Sequence, residues 1–157
     1  MASEVAEILA GTLAQILEEA AFLFAEPSEE PPPYAGEVLQ ARLSFMGDHE
    51  GELVLGAPPE LCATLAANLL GEDEGGAATT GDDEDAVGEL LNMVAGALLV
   101  ELYGPDAQCL LGLPRVERVA PARHEGELTG ADAVATLVEE EGRRIDLSVR
   151  LTGGATR

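Results

Sequence analysis

Apolar residues fall at helical spacing in three stretches of the chain and at alternate positions in most of the rest. Over residues 2–25, Val5, Ile8, Leu9, Leu13, Ile16, Leu17 and Ala20 make one stripe and predict a helix, with Ser3 placed as its cap. Phe22, Leu23 and Phe24 are expected to anchor the helix end in the core, and Glu26-Pro27 to stop it. Residues 27–36, PSEEPPPYAG, carry no period and read as a stiff, extended, proline-rich connector. The period then changes to two. Leu39, Ala41, Leu43 and Phe45 alternate with polar or smaller neighbours, residues 47–51 turn, and Leu53 and Leu55 return, which predicts a β-hairpin.

Pro58, Pro59 and Glu60 open a second helix that runs through LCATLAANLL and stops at Gly71, a residue suited to a helix C-terminus. Residues 72–81, EDEGGAATTG, are small, acidic and aperiodic and predict a mobile surface loop. The longest helix is expected over 82–104, DDEDAVGELLNMVAGALLVELYG. Its apolar stripe is Val87, Leu91, Val94, Leu98 and Leu102, its cap candidates are Asp82 and Asp83, and Gly104-Pro105 ends it. Cys109–Leu113, Arg115–Val119, Ala133–Glu139 and Arg144–Leu151 follow as strand candidates, the last two joined by a turn at Glu140-Glu141-Gly142. The order predicts a single α+β domain over 1–157, with a largely antiparallel sheet and helices packed on it.

Composition narrows what such a domain can do. There are 30 acidic and 8 basic residues, for a formal net charge of -22, and aromatics are 3% with no Trp. The core must therefore be built from Ala, Leu and Val. Every basic residue is Arg. Without Lys there is no Schiff-base chemistry and no Lys-dependent phosphate loop, and the acidity argues against a nucleic-acid groove or an anionic membrane as partner. It suits cationic partners, or solubility alone. Cys62 and Cys109 stand in apolar settings with no metal-ligand spacing and read as small buried hydrophobes. His49 and His124 fall in polar turns and are expected to be solvated. No signal peptide and no stretch approaching ~20 apolar residues is visible, so the cytoplasm is the expected compartment.

The long helix carries a second pattern. Asp85, Glu89, Asn92 and Gly96 recur at steps of four, three and four and so share one ridge, opposite the apolar stripe. Asn is a mediocre helix former, and Gly in a helix interior costs roughly 1 kcal/mol against Ala. Docking against another protein would compensate for both. Asn92 cannot act as a base, but its carboxamide can donate to and accept from one water at once and so place it in line with a phosphoryl group. Glu89, one turn away, can pair with a partner's cation and set the docking register. Gly96 leaves room for a foreign backbone. The ridge offers no nucleophile and no metal cluster, so any remaining catalytic groups must belong to the partner. The first helix repeats the spacing with Glu4, Glu7 and Gly11.

The segment Gly88-Glu89-Leu90-Leu91-Asn92-Met93-Val94-Ala95-Gly96 resembles the signature of the CheC/CheX chemotaxis phosphatases: Glu, two residues, Asn, three residues, Gly, on a long surface helix. The hairpin RLSFMGDHEGELVLGAP, the following PELCATLAANLLGE and the acidic lead-in are similar to the same family's run-up, and the resemblance covers roughly residues 37–151. It implies the CheC-like fold and a phosphatase acting on the aspartyl phosphate of a CheY-like response regulator. Asn92 would then orient the attacking water and Glu89 pair with the regulator's active-site Lys, both catalytic, with Asp85, Gly88 and Gly96 on the partner-binding face. The chain would bind no cofactor, the regulator supplying Mg²⁺ with its phospho-Asp. Glu7 stands where a second motif would need Asn, which implies one site and the CheX-like branch, and with it a homodimer. Two rivals remain. One is a non-catalytic adaptor of the same fold in chemotaxis or flagellar-switch signalling. The other is an acidic domain without a catalytic role, in which Glu89 is buried or bonded within its own chain.

Overall fold

A computed structural model describes residues 2–70 and 80–152. The chain runs α1 (Ala2–Ala21), β1 (Ala25–Pro27), β2 (Val38–Gly47), β3 (Gly51–Ala57), α2 (Pro59–Leu70), α3 (Thr80–Tyr103), β4 (Cys109–Leu111), β5 (Arg115–Val119), α4 (Pro121–Thr129), β6 (Ala133–Glu139) and β7 (Arg144–Leu151). The strands form one sheet in the order β1-β6-β7-β3-β2-β4, with β5 also on β2, and every paired neighbour is antiparallel. The long strand β2 serves two partners on one edge. Its first half pairs with β5 and its last three residues pair with β4.

The period-two residues do what their alternation predicts. Leu39, Ala41, Leu43, Phe45, Leu53 and Leu55 all point into the core, where they meet Leu9, Leu13 and Leu17 of α1 and Leu61 and Leu65 of α2. α3 lies against β2 and between α1 and α2, with Val87, Leu90, Leu91, Val94 and Leu98 fully buried. By length and composition α3 could cross a membrane over Asp82–Tyr103, contrary to the sequence expectation. Its apolar side is instead the centre of the domain's core. Cys62 is wholly buried, and burial, with Asp83 adding a smaller push, lifts its thiol to about 12. Cys109, expected to be equally buried, is half-exposed at the sheet edge.

Several boundaries differ from the sequence reading. α1 ends at Ala21 rather than near 25, because Phe22 adopts φ +58° and turns the chain away. The end is closed by Phe22 N–H donating to Glu18 O (3.2 Å) and Leu23 N–H to Leu17 O (3.0 Å). Only Leu23 enters the core, while Phe22 and Phe24 face solvent, so the three residues do not anchor the helix together. Residues 25–27 form an edge strand, a place where Pro27's missing N–H is tolerated. Ser3 and the pair Asp82/Asp83 are not caps but lie in first turns, the two Asp where a helix N-terminus favours negative charge. Thr80 and Gly81, expected in a loop, already belong to α3. The rest of the expected 72–81 loop, and Gly71, lie outside the described residues.

Candidate functional site

The ridge expected on the long helix forms. Asp85, Glu89, Asn92 and Gly96 are all exposed on α3, on the side away from its fully buried Leu90, Leu91, Val94 and Leu98. Among the described residues, neither the Glu89 carboxylate nor the Asn92 carboxamide makes a hydrogen bond or an ion pair. The reading in which Glu89 serves its own fold therefore loses its main requirement. Gly96 is equally telling. A Cβ built there would meet nothing within 4 Å, so this glycine is not explained by close packing inside the chain.

Gly88 requires a correction. It was expected on the partner-binding face, but it is buried against its own chain. A Cβ there would lie 3.5 Å from Val116 Cγ2 and 3.7 Å from Pro114 Cβ. The segment that follows β4 thus runs back along one flank of α3. Leu111 and Cys109 share a groove of about 180 Å³ with Gly96, Leu99, Val100, Gly104 and Ala107. Pro114 and Val116 reach Gly88, and Arg118 lies 3.4 Å from Glu84. At the far end the hairpin turn braces the helix, with the His49 ring stacked on Tyr103 at 3.6 Å and 4°. His49 is thus packed on a ring rather than simply solvated.

The opposite face of the sheet holds polar chemistry that the sequence reading did not find. Gln40, Gly56, Asp146 and Thr136 stand in register across β2, β3, β7 and β6. His124 of α4 sits over the gap left by Gly56, fully buried, which overturns the expectation that it is solvated. Arg42 donates to Gln40 Oε1 (3.1 Å), which turns the Gln40 amide nitrogen toward His124 Nδ1 (2.9 Å). The imidazole proton then sits on Nε2, aimed at Asp146 Oδ2 (2.9 Å). Asp146 also accepts from Tyr34 Oη (2.5 Å), Thr136 Oγ1 (2.6 Å) and Arg144 Nε (3.1 Å). Burial alone would raise the Asp146 pKa. Hydrogen bonds from His124, Thr136 and Tyr34 and the charge of Arg144 outweigh it and hold the carboxyl below its usual range. Burial, followed by the Asp146 charge, drives the Tyr34 hydroxyl upward. This network holds no accessible nucleophile. It pins α4 and the 28–36 strap to the sheet, the Arg144 guanidinium lying 4.6 Å over the Tyr34 ring.

Residues 39–129 match the family model described as chemotaxis phosphatase CheX, a span that includes the whole of α3. No curated protein matches the sequence. A chemotaxis protein CheX from Desulfovibrio desulfuricans is similar in structure, with a TM-score of 0.67 at 17% identity over 95% of this chain and 99% of that one. A CheX–CheY complex with BeF3 and Mg²⁺ from Borrelia burgdorferi gives 0.64 at 13% identity, over 94% and 97% of the two chains. FliY from Thermotoga maritima gives 0.63 at 19% identity, over 96% and 89%. At these identities the likeness speaks for the fold, which is CheC-like as the resemblance implied.

Proposed function

The chain belongs to the CheX family, and on that basis we propose that it dephosphorylates the aspartyl phosphate of a CheY-like response regulator. Asn92 takes one water by donating from its amide nitrogen and accepting at its oxygen, and holds it in line with the phosphoryl group. Glu89 pairs with the regulator's active-site Lys and fixes the register in which Asn92 enters. Asp85 and Gly96 extend the same contact along α3. Mg²⁺ and the phospho-Asp belong to the regulator, where the metal neutralises charge on the phosphoryl oxygens. The net charge of -22 favours encounter with such a cationic site. We place the protein in the cytoplasm, where a receiver domain is met, and infer a homodimer from family membership, which sedimentation of the purified chain tests.

The observation that carries this reading is the outward, unengaged pair Glu89 and Asn92 on a face of α3 that the core does not use. The fold is shared with FliY, so a non-catalytic adaptor is the second reading. It gives no role to a water-positioning amide. Following the decay of a phosphorylated CheY-like regulator with wild-type protein and with Asn92→Ala separates the two. A loss of about a hundredfold in rate is expected, the scale of a lost positioning contact. Equal rates remove Asn92 from the mechanism. Glu89→Lys should weaken binding at least about tenfold with the fold intact.

A further inference from the structure

An apolar shelf runs beside the ridge. Gly96 shares a groove with Leu111, and Gly88 packs on Pro114. The chain that joins Leu111 to Pro114 therefore passes α3 between these two glycines. Asn92 lies midway between them along the helix. Leu113, on that passing chain, is 89% exposed, the most exposed large apolar side chain among the described residues. Val100, one turn beyond Gly96, is also exposed, as are Leu110 and Leu111. Exposed apolar side chains are ordinary when scattered, but a row of them against a candidate site marks a contact surface.

We propose that Leu113, Leu111 and Val100 form the seat for an apolar patch next to the phosphorylation site of the receiver domain, so that this shelf sets which regulator is accepted. The proposal rests on the phosphatase reading and adds a binding surface to it. Continuity argues for this occupant, since a domain whose active site takes in Asn92 comes down beside the shelf. Charge argues against a second copy of this chain. A twofold contact here would bring together faces that each carry exposed Asp85 and Glu89, with like charges opposed. A receiver that brings Lys and Mg²⁺ meets the same acidic face favourably.

The test uses the full chain and a CheY-like receiver domain, phosphorylated for kinetics and loaded with beryllofluoride and Mg²⁺ for binding. Leu113→Ser and Val100→Ser should each raise KM and Kd about tenfold while kcat falls much less, and the double variant more than either, as for apolar anchors at an interface. Both sites are exposed, so circular dichroism should be unchanged. Phe22→Ser, an exposed apolar residue on α1's end, serves as the control and should leave KM unchanged. If Leu113→Ser and Val100→Ser leave KM and Kd unchanged while Asn92→Ala abolishes turnover, the shelf is not the seat and the phosphatase reading stands. If they split a dimer without changing Kd, the shelf belongs to a second copy and the proposal is overturned. If Asn92→Ala has no effect, the phosphatase reading itself fails.

Discussion

His124 Nε2 lies 2.9 Å from Asp146 Oδ2, and both side chains are completely shielded from solvent on the sheet face opposite α3. The pair closes a network that spans four strands, α4 and the strap before β2. The candidate site on α3 stands on the other side of the sheet from this network.

The Asp146 carboxyl titrates below its usual range when folded. Its stabilising contribution is therefore fully present above an unfolded-state pKa of about 3.9 and is lost as the pH falls through the folded value. Glu139 is also lowered, because hydrogen bonds and charge from Arg143 outweigh a burial effect that alone would raise it. Acid titration of the fold by circular dichroism should show stability collapsing below about pH 4. Asp146→Asn should be less stable by about 3 kcal/mol at pH 7, since it leaves buried Arg144 underpaired, and its acid limb should be shallower. An acid limb as steep as that of wild type would assign the transition to other carboxylates.

The Tyr34 hydroxyl is one of several ties of the 28–36 strap to the sheet, beside Ser28 N–H donating to Thr136 O (3.0 Å) and Arg144 Nη1 to Pro32 O (3.4 Å). Tyr34→Phe keeps the ring under Arg144 but removes the donor to Asp146. A cost of about 1–2 kcal/mol in urea unfolding is expected. The strap should also be cleaved faster by a protease that cuts after acidic residues, at Glu29 or Glu30, and dephosphorylation of the regulator should be unaffected.

Gly56→Ala tests the gap under His124. The new Cβ would fall 2.1 Å from His124 Cε1, on a central strand that cannot retreat. Overpacking costs about 1–3 kcal/mol, and displacing His124 breaks buried hydrogen bonds as well. A fall in the denaturation midpoint corresponding to at least about 2 kcal/mol is expected. A neutral result would mean that α4 lifts freely from the sheet.

Gly96→Ala should separate stability from function. Nothing stands within 4 Å of the new Cβ, so the helix gains up to about 1 kcal/mol in thermal or chemical unfolding. On the proposed docking the rate of regulator dephosphorylation should fall, because the partner would need that space. Gly11→Ala on α1, where the space is also open, should stabilise similarly and leave the rate unchanged.

The sequence was most legible where a residue's surroundings repeat. β6 and β7 match the expected bounds residue for residue; alternation in β6 separates a buried face from a half-buried one, and in β7 it separates apolar Ile145, Leu147 and Val149 from buried polar Arg144, Asp146 and Ser148. The ridge on α3 was legible for the same reason, since a strong apolar stripe fixes which residues must face away. What escaped notice lacks a period. α4 is only nine residues long, carries Gly126, and buries just His124, so no stripe marks it; Pro121 at its start was the one signal. The polar network escaped because its members are far apart in the chain and meet only through strand register. A glycine inside a strand, Gly56 next to the end of β3, was the residue that could have prompted a search for something large above it. Gly88 was misplaced because its neighbours Pro114 and Val116 arrive from a segment whose path along the helix no local pattern encodes.

The contact at Gly88 also bears on how the ridge is aimed. With the 114–116 segment seated against it, α3 is packed from the side as well as from below. The face of the helix on which Asn92 stands is thereby set by the chain's own packing. A partner docking there as proposed would meet a helix already formed and packed, so that mainly side-chain torsions remain to be ordered, which keeps the entropic cost of recognition small.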